Sequence, residues 1–307
     1  MTRIDLFPPM RTRVLFTACL ALLAACSRHE PPAAAGAPAA TPAPVAANTA
    51  AAPADAAAPQ PLDEKQAAGI MRAVFGDRYD ASRHSARAAI RDGNEERSVA
   101  MTFIAAARLP DGRVAALVNG ASADDNGDES AGHAEPGILN VYLLRPAGTG
   151  WEVAERHENA ATLGSEGHMG DARWVALGPG KPGFIMSSGG VWQGYAISFA
   201  DVYELGNGVR HLGNFKEAGS NDGACGPDTG ECWDVTSRLR FDDGADAAHD
   251  GYRDLLADFS GKRYTITTVK GDEVATRQLG AIRQTVRYRF DGKAYKPTSD
   301  TNPVPDI

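Results

Sequence analysis

Residues 98–120, SVAMTFIAAARLPDGRVAALVNG, carry the pattern that decides the fold. Two apolar runs rich in Val, Ile, Phe and Ala flank Pro110-Asp111-Gly112. Proline presets φ for the first turn position and glycine accepts positive φ at no steric cost, so the runs on either side pair as antiparallel strands. The same grammar continues downstream. ILNVYLLRPAGTGWEVAERHE (138–158) predicts a second hairpin around Gly148 and Gly150. RWVALGPGKPGFIMSSGG (173–190), YAISFADVYELGNGVRHLG (195–213), VTSRLRFDD (235–243), YRDLLADFSGKRYTITTVKG (252–271) and TVRYRFDGKAYKP (285–297) extend it with Gly or Pro turns between them. A chain of this kind is mainly β, an antiparallel meander that closes as a β-propeller-like domain or, alternatively, a β-sandwich.

One helix precedes the strands. In PLDEKQAAGIMRAVFG (61–76), Asp63 and Glu64 suit a first turn, Ala67, Ile70, Met71 and Val74 recur at helical spacing, and Gly76 suits the end. Upstream, residues 31–60 are almost entirely Ala and Pro, with too little branched or aromatic surface for a core. They are expected to form an extended tether, leaving residues 62–307 as the β-rich domain.

The first residues address the compartment. MTRIDLFPPMRTR carries Arg3, Arg11 and Arg13, and the apolar run VLFTACLALLAA that follows is too short to span a bilayer, which is the layout of a signal peptide over residues 1–25. Its end, Leu23-Ala24-Ala25-Cys26, resembles the lipobox of bacterial lipoproteins, a resemblance that implies lipid on Cys26. Ser27 after the cysteine implies passage to the outer membrane, with the domain facing the periplasm. In that oxidising compartment Cys225 and Cys232, which bracket the turn-rich GPDTGE, are expected to pair as a disulfide. Removing residues 1–25 takes the net charge from −8 to about −10. So acidic a chain is a poor ligand for nucleic acid and a favourable target for a basic protein.

Two acidic loops have the oxygen-ligand spacing of calcium sites. In DDNGDESAGHAE (124–135), Asp124, Asn126 and Asp128 stand at alternate positions and Glu135 at the twelfth, although Glu129 replaces the turn glycine of an EF-hand loop. In the second, Asp246, Asp250, Gly251 and Asp254 approach a D-x-D-x-D-G-x-x-D repeat, with Ala248 in place of the middle ligand and Asp242 and Asp243 just upstream. Calcium in either loop would be structural, since full oxygen coordination leaves no open position for a reaction. Catalytic patterns are missing: there is no G-x-S-x-G elbow, no H-E-x-x-H, and the histidines are scattered. A binding protein rather than an enzyme is therefore expected.

SSGGVWQGYA (187–196) sets Trp192 and Tyr195 among three glycines between two strands. Aromatic side chains on such a loop either fold back onto the domain or anchor a partner. The lipobox, the Ala/Pro tether, the β-rich domain with acidic loops and this Ser-Gly and Tyr segment together resemble the periplasmic immunity lipoproteins that inhibit lysozyme-like effectors of type IV secretion systems. That resemblance implies a calcium-binding, propeller-like domain. It also implies partner binding through Ser188, Gly189, Trp192 and Tyr195, although the Ser-Gly to Tyr spacing is longer here than in the Ser-Gly-x-x-Tyr loop of general lysozyme inhibitors. Two other functions fit the same features: a calcium-stabilised structural lipoprotein of the envelope, and a cell-wall hydrolase of unrecognised site.

Overall fold

Pairing starts at Gln60, two residues ahead of the expected domain edge: β1 (Gln60–Pro61) lies against Arg108 and Ala107, and Leu62 donates to the Ala106 carbonyl at 2.9 Å. The structure, a computed structural model, describes residues 58–92, 95–227, 229–243, 248–270 and 273–307. Cys26, the signal segment and nearly all of the tether therefore lie outside the described residues, as does Asp246.

The helix forms as its sequence predicts. Asp63 caps a 3-10 turn (Glu64–Gln66) by accepting from the Lys65 amide at 3.0 Å. The turn runs into α1 (Ala67–Phe75), and Gly76 at φ 60° closes the helix with its N–H on the Arg72 carbonyl. Ile70, Met71, Val74 and Phe75 are buried on the first sheet.

That sheet comprises β1, β2 (Tyr79–Asp80), β3 (Ser85–Asp92), β4 (Glu95–Arg108), β5 (Val114–Ser122), β6 (Gly137–Ala147) and β7 (Gly150–Leu163), with β2 to β7 side by side in chain order. The hairpin of the opening stretch is in place: Arg108 pairs with Val114, Gly112 has φ 86°, and Asp111 accepts from the Arg113 amide. β3 was missed by pattern, because its core-facing positions Ala86, Ala88 and Ile90 offer mostly methyl groups.

The second sheet is another meander. β8 (Asp171–Gly178), β9 (Lys181–Trp192), β10 (Tyr195–Gly206), β11 (Gly208–Ser220) and β12 (Glu231–Phe241) lie in chain order. A small hairpin, β13 (Ala248–His249) with β14 (Tyr252–Arg253), interrupts the run before β15 (Leu255–Lys270), β16 (Glu273–Phe290) and β17 (Tyr295–Pro297) complete it. Of the described residues 65% are strand and 8% helical, a mainly β fold of two antiparallel sheets and one helix. Strands are longer than the turn spacing suggests, since β15 and β16 run on as a ribbon in which no described residue from Ser260 to Thr285 is buried.

Three apolar layers hold these parts together. Val114, Ala116, Val118, Tyr142 and Leu144 face α1. The alternate residues Ala115, Leu117, Leu139, Val141 and Leu143 turn the other way and meet Phe184, Met186, Tyr203 and Leu205 of the second sheet. β5 and β6 are thus buried on both faces, so they read as continuous apolar runs rather than alternating ones. The far face of the second sheet packs on itself through residues such as Val202, Val235, Leu255, Val286 and Tyr288. Arg173 on β8 reaches across to the Leu239 carbonyl on β12 at 3.0 Å.

Candidate functional site

The SSGGVWQGYA segment is not a loop. β9 and β10 pair to their ends, with Trp192 opposite Tyr195, and only Gln193 and Gly194 form the turn. Both have positive φ, 46° and 84°, the geometry of a tight hairpin turn that matches strand twist. The turn rests on the backbone of Gly223, where a Cβ at position 194 would collide. Val191 and Trp192 at this tip are about half exposed, 53% and 50%.

His133 holds the tip in place. Its Nδ1 lies 2.7 Å from Glu166 Oε1 and its Nε2 3.1 Å from the Val191 carbonyl, while its ring tilts against Trp192 at 5.7 Å. Glu166 foremost, and the Val191 carbonyl after it, raise the His133 pKa above its usual value, because both acceptors favour a ring with two N–H groups.

Behind the tip lies a groove of about 510 Å³, at the place where the two sheets part. One wall is the end of β7 from Ala160 to Leu163. The floor is one face of β10: Tyr195, Ile197, Phe199, Asp201 and Tyr203, every second residue, line the groove. Ala200 and Val202, in between, belong to the opposite core. Tyr203 stacks on Phe184 with ring centres 4.9 Å apart, so the floor is braced by the inter-sheet core.

At the inner end Asp201 is 4% exposed and its Oδ1 lies 2.9 Å from His211 Nε2. The imidazole tilts over Tyr203 at 5.0 Å. Burial chiefly, and the neighbouring Asp201 charge second, push the Tyr203 hydroxyl well above the usual phenol range. Sequence spacing did not single out Asp201 and His211, ten residues apart on β10 and β11; the signal was the hairpin at Gly206-Asn207-Gly208, which folds one strand onto the other. Among the described residues no Ser, Thr or Cys hydrogen-bonds to His211.

Of the four residues expected to meet a partner, Trp192 stands at the exposed tip and Tyr195 is half-buried, lining the groove and packing on the second sheet's core. Ser188 is buried, and Gly189 lies so close to the Ile197 carbonyl that no side chain fits there. These two shape the groove wall rather than its rim.

The acidic loops are braced from within. Asp124 accepts the amides of Asn126 and Asp128, each at 2.9 Å, and these bonds hold its carboxyl below the usual range. Asp128 pairs with Arg83 at 2.9 Å, and Glu135 with Arg97 at 2.9 Å and with the Ser122 hydroxyl. In the second loop, Asp250 and Gly251 form the exposed turn between β13 and β14, with φ 52° and 78°. Asp254, fully buried, accepts from Arg287 at 2.8 Å and Arg289 at 2.9 Å, while Asp243 pairs with Arg253 and Asp242 with Arg287. Among the described residues no three of His, Cys, Asp and Glu gather as a metal-binding group. Cys225 and Cys232 are joined, their Cα atoms 5.8 Å apart, which ties the loop after β11 to the start of β12. Comparison with protein families, with curated proteins and with solved structures finds no match for this chain.

Proposed function

We propose that the protein is a binding module held by acylated Cys26 at the periplasmic face of the outer membrane, where it inhibits a basic, lysozyme-like peptidoglycan hydrolase. The observation that carries this reading is Trp192: half exposed beside Val191, at the end of β9 where a two-residue turn is braced by His133 and Gly223. A large aromatic surface presented on a rigid support loses little entropy on binding and is the usual anchor of an interface. The acidic balance of the chain, −8 overall, would steer a basic enzyme toward it. The shared core between the sheets favours a sandwich-like arrangement over a ring of propeller blades. For structural calcium the support is the spacing of the two loops, against which stand the arginines already on their carboxylates. The alternative of a wall hydrolase draws on the Asp201–His211 pair, an acid and a base in one groove.

The test is inhibition of peptidoglycan hydrolysis by a panel of basic lysozymes. Wild-type protein should slow at least one of them, and Trp192→Ala should weaken that inhibition by about 30-fold, the equivalent of about 2 kcal/mol for a buried anchor. Hydrolysis by every enzyme of the panel at its uninhibited rate would overturn the reading, and release of sugar fragments by the protein alone would put the hydrolase in its place.

A further inference from the structure

The groove behind Trp192 has a chemistry of its own. Its walls are apolar and aromatic, and among the described residues lining it none is Lys or Arg. At its inner end Asp201 is 4% exposed, yet it has a single hydrogen-bonded partner among the described residues, His211 on Oδ1, and no partner there on Oδ2. That second oxygen is not sealed from solvent and opens toward the groove, whereas the fully buried Asp254 in this same protein has both oxygens engaged by two arginines. Among the described residues Asp201 has no Lys or Arg partner, and the groove leads to it.

We infer that the groove receives an alkyl cation: a primary ammonium on an unbranched apolar stem, its head on Asp201 Oδ2 and its methylenes along Ile197 and Phe199. The pieces fit each other. A carboxylate accepts and does not donate, so it selects a donor head. Aromatic faces carry negative charge density and attract a cation passing over them, and Phe199, Tyr195 and Tyr203 all lie on the floor. The floor alternates along a single strand, so these side chains form a straight row rather than a cage around one point. A row suits a linear stem several methylenes long. Such a group is supplied by a lysine side chain of a partner protein or by a free aliphatic diamine. The inference takes from the proposed function only the choice of face; a lysine source would make the groove the second contact of a basic partner already anchored on Trp192.

The experiment is calorimetric titration of the full chain with small probes. Pentylammonium should bind at least tenfold more tightly than its neutral counterpart 1-pentanol. Asp201→Asn, of the same shape, should lose at least tenfold toward pentylammonium and little toward pentanol. Should Asp201→Asn fail to fold, Asn214→Lys serves instead: Asn214 is exposed on β11 and is the register partner of Asp201. A lysine there would occupy Asp201 from within and abolish pentylammonium binding, with the melting temperature maintained. The Nα-acetyl methylamide of lysine binding as well as pentylammonium points to a protein side chain as the source, and cadaverine binding alone points to a free diamine. Equal binding of pentanol and pentylammonium, undiminished binding to Asp201→Asn, or binding of N-acetylglucosamine in place of either would overturn the inference. No hydrolase is present in these titrations, so their failure leaves the inhibitor proposal standing, and failure of the lysozyme panel leaves the groove chemistry standing.

Discussion

Replacing Asp254 by Asn probes how the second acidic loop is held. Asp254 is fully buried and accepts from three guanidinium nitrogens, Nη1 of Arg287 and Nε and Nη2 of Arg289, at 2.8 to 3.2 Å. Removing one partner of a buried ion pair typically costs about 3 to 5 kcal/mol, chiefly because the other charge is left unpaired in a dry site. Here Arg287 and Arg289 keep 36% and 40% of their side-chain surface in water and can turn outward, so the lower end of that range, about 3 kcal/mol, applies. For a domain of this size that corresponds to a fall in melting temperature of about 6 to 12 °C. Solvent-exposed Asp250, four residues away on the turn, is the control, and Asp250→Asn should shift stability by less than about 0.5 kcal/mol. The pH dependence provides an independent sign. Burial works against the ionised form of Asp254, but the hydrogen bonds from Arg289 and Arg287 outweigh it and lower the pKa. The pair's contribution is therefore complete above the unfolded aspartate value of about 3.9 and disappears as pH falls through the lower folded value. Urea melts of wild type and Asp254→Asn should differ by the full amount at pH 7 and converge in strong acid. A variant within 0.5 kcal/mol of wild type at pH 7, or a difference that appears only with added calcium, would refute the arginine clasp.

Three further outcomes follow from the same geometry. The His133 bridge to Glu166 and Val191 stabilises the hairpin below the unfolded histidine value of about 6.5 and is lost as pH rises through the raised folded value, so amide exchange at Val191 and Trp192 should accelerate above neutrality; exchange that does not respond to pH beyond its intrinsic base catalysis would contradict this. Converting Cys225 and Cys232 together to Ala should cost about 2.5 kcal/mol in denaturant melts, from the loss of a short closed loop in the unfolded chain. Gln193→Asn should raise stability by about 0.5 kcal/mol, since Asn tolerates φ 46° better than Gln does and Asn-Gly suits a turn with two positive φ values; a loss of stability would mean that the Gln193 side chain has a role of its own.

Turn chemistry made most of the fold legible. Pro110-Asp111-Gly112, Gly148, Asn207-Gly208 and Asp291-Gly292 each mark a reversal that the structure contains, because only a few residue types accept the backbone angles a reversal needs. The number of layers was not legible. Leu117 and Val118 are neighbours in a continuous apolar run, yet one faces the second sheet and the other faces α1, and nothing in the run says which element will cover which side. The groove was half legible: Trp192 and Tyr195 drew attention as aromatics among glycines, whereas Asp201 looked like any acid in an acidic chain. Its significance lies in its burial, which nothing about the residue or its neighbours in sequence announces. The acidic loops show the reverse error of scale, since ligand spacing in Asp124, Asn126 and Asp128 is also the spacing that lets one carboxylate bind the amides of its own turn.

Two open meanders leave strand edges, and an unpaired edge is a template on which another chain can add and grow. β17 is three residues long and ends in Lys296-Pro297, with no amide on the proline to offer an incoming strand. Beside β8 the guanidinium groups of Arg173 and Arg253 bind the carbonyls of Leu239 and Ala176, so the approach to that edge is charged and partly used. β7, the 14-residue outer strand of the first sheet, carries Glu152, Glu155, Arg156 and Glu158 and meets β6 through two register shifts that bend it away from flatness. At β7, β8 and β17 the fold thereby denies a second copy the flat, hydrogen-bond-ready border from which amyloid-like stacking starts, and the border it leaves open is the outer side of β16, where Val274 and Leu279 are exposed.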